Sequence, residues 1–347
     1  MINQVFSTPI LEFLHSKFLN SGLLPMIQTL PRFVKPILIV CLVLLFLLWI
    51  TSWNVLQAYQ VNPILSTTTP LPVTLVRFEN PEKLKIQKSG EKTIIVVTPT
   101  YRRLTRIADF TRFANTLSHL TNLHWIVIED GPTVIPAIQN ILERTSLPFT
   151  YMAYESPPSF PNRGWFQRNK ALNFIREEYK NLTDSDEAVV YFGDDDNAYD
   201  LRLFTEYIRN VKRIGMWGVG HVGQSLVESP RVFNNTVIGF DATWSPDRYF
   251  AVDMAGFALG LPLILNSTVE FRSSCPSGAG ALESCLLEDL GLKREDVEPF
   301  GFGKQTDRDV LVWHTKTRIP WIQDFHPSAW DWLFPKPPRT NNYFVEY

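Results

Sequence analysis

The sequence predicts an α/β protein with a mainly parallel sheet, carried behind a membrane anchor. Three observations predict it. Short β-branched, apolar runs alternate with amphipathic stretches at helical spacing through the middle of the chain. Two of those runs end in acid, Val127-Ile128-Glu129-Asp130 and Tyr191-Phe192-Gly193-Asp194, so parallel strands would bring their acids to one sheet edge. Finally, no Lys, Arg, Asp or Glu occurs between Lys35 and Arg77, and Pro36 to Ile50 is almost purely apolar.

That apolar run sets the first boundaries. Extended over 34–53 it gives about 20 residues, which as a helix cover the ~30 Å of a bilayer core. Its position behind a 33-residue tail, 1–33, is too far in for a cleaved signal peptide. Arg32 and Lys35 precede the span and no cation closely follows it, which leaves the tail cytoplasmic and the bulk of the chain lumenal or extracellular. Three sequons then become candidate glycosylation sites, at Asn181, Asn234 and Asn266. Residues 54–91 are rich in Pro and Thr and read as a stem, with regular structure starting at Lys92. The net charge of −2 excludes the basic excess of a nucleic-acid binder.

From Lys92 the elements follow in order. Thr93–Val97, Trp125–Ile128, Phe149–Ala153 and Val189–Phe192 read as buried strands. Thr105–Leu120, Val134–Leu142 and Gly164–Tyr179 read as the intervening helices. Beyond Asp196 the pattern shifts to strands around Met216–Val219 and Val232–Phe240, a helix near Gly280–Leu290 and a strand at Val310–Trp313. The division is therefore a nucleotide-binding half, 92–197, and a mixed-sheet half, 198–347. Cys275 and Cys285 are free either to pair or to remain buried thiols.

The stretch Asp194-Asp195-Asp196 closes a buried strand, where adjacent carboxylates repel unless a cation or water lies between them. Hard carboxylate oxygens suit Mg²⁺ or Mn²⁺, ions that also hold substrate phosphates. A solvated acidic turn is the alternative.

TPTY (98–101), VIEDG, QRNKAL, YFGDDDN, WSPDRYFAVDMAGFA, LESCLLEDL and VWHTKT occur in that order. Together they resemble the animal β-1,3-glucuronosyltransferases of glycosyltransferase family 43, over roughly Lys92 to Thr317. The resemblance implies a type II Golgi enzyme with a GT-A-like fold, a Rossmann-like donor half and an acceptor half. It implies transfer of glucuronic acid from UDP-glucuronic acid, with Mn²⁺, to the 3-hydroxyl of a terminal galactose with inversion, as on the proteoglycan linker of a protein. Lys316 stands where the family usually has Arg, and the aromatic segment after Thr317 is longer than the family's. Both departures leave the acceptor, the exact UDP-sugar and any homodimer contact open.

Carried onto this chain, the resemblance has Pro99, Thr100 and Tyr101 lining uracil and ribose; an ordinary strand-to-loop turn is the alternative. Asp130 accepts from the uracil ring, unless it is a turn or cap residue. Asp194 and Asp195 face the ribose and nucleotide, and Asp196 binds the metal. Arg163 and Arg168 sit near a helix start, where a cation opposes the dipole, and would hold phosphate or carboxylate rather than surface salt bridges. His314 and Lys316 reach the diphosphate or sugar. Glu228, Trp244, Arg248 and Asp253 form the acceptor side, with Trp244 suited to a galactose face. Glu283 lies in an apolar helical run, where an ionised carboxylate is costly without a role. The resemblance makes it the base; Glu288 and Asp289 nearby are expected to be exposed. Two rival classes fit less well. A silent lectin-like protein would be expected to lose the aspartates or Glu283, and a metal-dependent phosphatase needs an early nucleophilic aspartate where this chain has Thr-Pro-Thr-Tyr.

Overall fold

The computed structural model describes residues 75–78, 91–160, 164–181, 188–272, 274–276, 281–303, 308–315 and 317. The chain divides into two units, Met1–Pro70 and Leu71–Tyr347, and every described residue belongs to the second. The anchor expected at 34–53, Arg163 and Lys316 lie outside the described residues. No helix among the described residues is long and apolar enough to cross a membrane.

The elements in chain order are β1 (Leu75–Phe78), β2 (Thr93–Thr100), α1 (Arg106–Leu117), β3 (Leu123–Glu129), α2 (Pro136–Thr145), β4 (Phe149–Ala153), α3 (Trp165–Glu178) and β5 (Ala188–Phe192). They continue as β6 (Ala198–Tyr199), β7 (Ile214–Met216), β8 (Val219–Gly220), β9 (Val227–Phe233), β10 (Thr236–Asp241), β11 (Phe257–Gly260), α4 (Leu261–Leu265), α5 (Leu282–Asp289), β12 (Val297–Pro299) and β13 (Val312–Trp313). One mixed sheet has eight strands in the order β1-β4-β3-β2-β5-β11-β7-β12. Within it β4, β3, β2 and β5 run parallel, and β11 is antiparallel to both its neighbours. A second sheet has the order β10-β9-β8-β13-β6.

The apolar runs are continuous because the central strands are buried on both faces. Alternate residues of β2 go to opposite cores: Ile94 and Val96 pack with Phe110, Phe113 and Trp125, while Ile95 and Val97 pack with Ile126, Leu172 and Ile175. Helices α1 and α2 therefore cover one face and α3 the other. The chain winds outward from β2 through β3 to β4, then returns to place β5 on the far side of β2. Such a reversal opens a crevice at the carboxyl ends of the strands. Thr100 and Asp194–Asp196 both lie at that point.

Three expectations need correction. Leu75–Phe78, placed in the stem, is a strand that adds antiparallel to β4, so among the described residues regular structure precedes Lys92. Sheet strands β11, β7 and β12 come from the chain after residue 198 and extend the sheet that β1 to β5 begin. Met216–Val219 is not one strand: β7 and β8 belong to different sheets, and between them the Trp217 indole donates to the Ala255 carbonyl (2.9 Å) as the chain crosses. Val232–Phe240 is not one strand but the meeting of β9 and β10 in a hairpin. Asn234 and Asn235 turn it at φ 47 and 60, the left-handed pair that a tight hairpin requires. Cys275 and Cys285 form a disulfide. Asn181, Asn234 and Asn266 are all exposed.

Candidate active site

The three aspartates after β5 have three different fates. Arg168, in the first turn of α3, donates to the Asp194 carboxylate. Asp195 is buried and accepts a guanidinium fork from Arg103, at 2.9 and 3.0 Å, together with the Thr100 hydroxyl at 2.7 Å. Asp195, expected on the nucleotide side, thus has both oxygens engaged by protein. The Asp196 side chain has no hydrogen-bond or ion-pair partner among the described residues. Burial, together with the Asp194 and Asp195 charges, pushes its pKa up to about 6. A low-dielectric site next to two anions favours the neutral acid unless a cation arrives.

Gly164 brings α3 to this edge. It caps the helix at φ +73, and a Cβ there would lie 2.8 Å from Pro99 and 3.1 Å from the Arg168 guanidinium. A residue with a side chain could not hold Pro99 and Arg168 this close. Asp130, one strand over, accepts from the Ser156 amide and hydroxyl, both at 2.9 Å, and Gln167 donates to that hydroxyl at 2.9 Å. Tyr101 is 54% exposed at the end of β2, with the Arg103 guanidinium 5.1 Å from its ring centre.

Beside this edge lies a cavity of about 240 Å³. Trp165, Arg168 and Asp194 line it from the nucleotide half; Glu228, Trp244, Arg248, Asp253, Glu283 and His314 line it from the other. It thus brings together six of the residues singled out on the acceptor, base and strand-end sides of the sequence. Glu283 reaches it from the first turn of α5, and its Oε2 is buried with no hydrogen-bond partner. Burial is the main reason its pKa rises to about 7; Asp253 adds to the rise, while Arg168 and Arg248 oppose it. Glu288 and Asp289 are exposed, as expected.

Glu228, on β9, is also buried and is raised to about 7 by desolvation, with Arg248 opposing at 3.5 Å. Arg248 stacks 4.5 Å from the Trp244 ring centre and donates to the Trp244 carbonyl at 3.2 Å, so the pair acts as one rigid wall. Asp253 accepts from the Ala255 amide with one oxygen (3.0 Å) and faces His314 Nδ1 at 3.6 Å with the other. That carboxylate raises the His314 pKa to about 8, which makes the imidazole cationic at neutral pH.

A parallel core flanked by helices, with paired acids and arginines at its switch point, defines an α/β domain of the class whose ligands enter at the carboxyl ends of the strands. The profile of glycosyltransferase family 43 matches residues 113–318, and the chain belongs to that family. It is 43% identical over 239 residues to the galactosylgalactosylxylosylprotein 3-beta-glucuronosyltransferase sqv-8 of Caenorhabditis elegans, over 65% of each chain. It is 41% identical over 240 residues to galactosylgalactosylxylosylprotein 3-beta-glucuronosyltransferase 1 of Homo sapiens, over 66% of this chain and 70% of that one. The chain thus spans about two thirds of the length of the curated relatives it matches. Among solved structures, Staphylococcus aureus TarS 1-349 is distantly similar, at a TM-score of 0.41 and 13% identity over 64% of this chain and 60% of that one.

The sequence did not single out Arg103, Asp109, Arg112 or Trp165. Arg103 follows a second arginine in Tyr-Arg-Arg-Leu, and nothing local distinguishes the one that reaches Asp195. Trp165, 5% exposed, packs in the core and also lines the cavity.

Proposed function

We propose that this chain is a GT-A-like, inverting glycosyltransferase. It moves glucuronic acid from UDP-glucuronic acid to the 3-hydroxyl of a terminal galactose on a protein-linked glycan, the reaction class that its relatives' names carry. We place it as a type II Golgi membrane protein, with the span at 34–53 and the glycosylation sites lumenal. The observation that supports the chemistry best is Glu283. A carboxylate oxygen is buried without a partner in a cavity that donor-side and acceptor-side residues share.

Glu283 Oε2 takes the proton from the galactose hydroxyl. That oxygen attacks the sugar's anomeric carbon from the face opposite UDP, the carbon–phosphate oxygen bond breaks, and UDP leaves with the electron pair. A base with a pKa of about 7 is matched to neutral pH, where it is half free yet still basic. Arg168 and the His314 cation, which both line the cavity, would face the departing phosphates as they gain charge. Trp244, braced by Arg248, offers a flat apolar face to the galactose ring, and Glu228 and Asp253 accept from its hydroxyls.

A Mn²⁺-type cation fits the donor edge. No group of three ligating side chains occurs among the described residues. However, such ions are commonly held by one or two carboxylates plus substrate phosphates, and Asp196 is the carboxylate left over. When bound, the ion offsets the charge of the diphosphate. The test is a donor screen: full-length chain with each UDP-sugar and a galactose-terminated acceptor. Transfer is expected from UDP-glucuronic acid alone, lost with EDTA and restored by Mn²⁺. Transfer of a different sugar overturns the donor assignment, and transfer of none overturns the enzyme.

A further inference from the structure

Outside the cavity, a cluster centred on buried Asp109 of α1 reaches the donor edge. The Asp109 side chain is 1% exposed, yet it is a carboxylate on the helix that carries Phe110 and Phe113 into the core. Its Oδ2 accepts from Arg103 Nη2 at 3.2 Å. Its Oδ1 accepts from Arg112 Nη2 at 3.2 Å and from the Thr317 hydroxyl. Each of these partners has a second role. Arg103 forks onto Asp195. Arg112 Nη2 also donates to the main-chain carbonyl of Asp196 at 2.7 Å, and its Nη1 lies 3.4 Å from the Thr317 hydroxyl. Thr317 comes three residues after His314.

We infer that Asp109 and Arg112 are positioning residues that hold the aspartate loop after β5 and the segment after β13 together as one donor-binding unit. The inference rests on the donor reading above. A buried carboxylate is costly unless its lone pairs are filled, and here donors from three segments fill them: the loop after β2, α1 itself and the chain after β13. What the sharing does is fix the backbone beneath Asp196, the carboxylate left open, relative to His314. The two sides of the diphosphate site thus keep one spacing. Neither Asp109 nor Arg112 lines the cavity, so neither touches the acceptor.

The experiment uses Thr317→Val, Arg112→Ala and Arg112→Lys in the full-length chain. It measures UDP binding by calorimetry with and without Mn²⁺, the separate KM values for donor and acceptor, and the thermal midpoint. Arg112→Ala should weaken UDP binding and raise donor KM about ten- to hundredfold, the factor carried by a hydrogen bond to a charged group. Arg112→Lys should recover part of it. Thr317→Val, which removes one hydrogen bond to the Asp109 carboxylate but no charge, should weaken UDP binding about tenfold, the lower end of that range. Acceptor KM should hold in every variant, whatever the midpoint does. Wild-type UDP affinity in Thr317→Val and Arg112→Ala overturns the inference alone. So does a fall in affinity that tracks the midpoint and acceptor KM across the set, which marks a merely structural cluster. A wild-type chain that binds no UDP overturns the donor reading and the inference with it.

Discussion

The donor edge and the far wall of the cavity treat their acids differently. At the donor edge, Asp194 and Asp195 each meet a guanidinium directly, and only Asp196 is left over. On the opposite wall, Glu228, Asp253 and Glu283 share Arg248 and His314, whose nearest carboxylate approaches are 3.5 and 3.6 Å, and Glu283 Oε2 has no hydrogen-bond partner. Close pairing fixes geometry and opposes desolvation, which still raises the pKa of buried Asp195. Loose pairing leaves Glu228 and Glu283 raised to about 7, mainly by desolvation. On the proposed reading, the donor edge is the wall that holds a charged ligand, while the far wall keeps acids that exchange protons at neutral pH.

Glu283→Gln is the sharpest way to break that contrast. It removes the basic oxygen and keeps the shape, so kcat should fall about 10²- to 10⁴-fold while calorimetric UDP affinity stays at the wild-type value. Parallel loss of both would place Glu283 on the holding wall instead. Next in size is the pH profile. Below a pKa of about 7 the base is protonated, so kcat/KM should fall about tenfold per pH unit. Above about 8, His314 loses its charge and a second decline should begin. Because Glu228 titrates near the same pH, comparison of Glu228→Gln with Glu283→Gln decides which acid sets the lower limb: only loss of the true base abolishes it. Smaller again, Trp244→Ala should raise acceptor KM about three- to tenfold, in line with aromatic contacts of about 0.5–1.5 kcal/mol, with donor KM unchanged. An equal shift in donor KM would place Trp244 across both substrates.

The smallest effect concerns stability, and its sign is unusual for a carboxylate. The folded pKa of Glu283 lies above its ordinary 4.5, so the folded state keeps a proton that the unfolded chain gives up. Stability from this group is full below about pH 4.5 and declines as pH rises to about 7. Glu283→Gln should therefore melt higher than wild type at pH 8 and nearly level with it at pH 5. A variant that melts lower at both pH values would mean that the carboxylate is a structural partner after all.

The central strands were legible because burial on both faces leaves an unbroken apolar run, as in Ala188–Phe192. The hairpin at Val227–Asp241 was not, because its strands are half exposed and its turn depends on two asparagines at positive φ rather than on Gly or Pro. Leu75–Phe78 was hidden in a Pro- and Thr-rich context, since an edge strand of four residues carries almost no periodic signal. At the site, the aspartates, Glu283 and the residues that share its cavity were legible as candidates from motif order. Their partners were not. Which arginine reaches which acid depends on how β2, α1 and β5 meet, and residues 92 positions apart in the chain, such as Arg103 and Asp195, show no local sign of meeting.

Gly164 carries a consequence for heredity. Every missense change at a glycine codon adds at least a Cβ, and here that carbon would fall 2.8 Å from Pro99 and 3.1 Å from Arg168, on a backbone already at φ +73. No allele at this position is conservative: the smallest variant, alanine, already pushes apart the end of β2 and the arginine that holds Asp194. Loss-of-function alleles should therefore gather at a residue that has no side chain and no chemistry of its own.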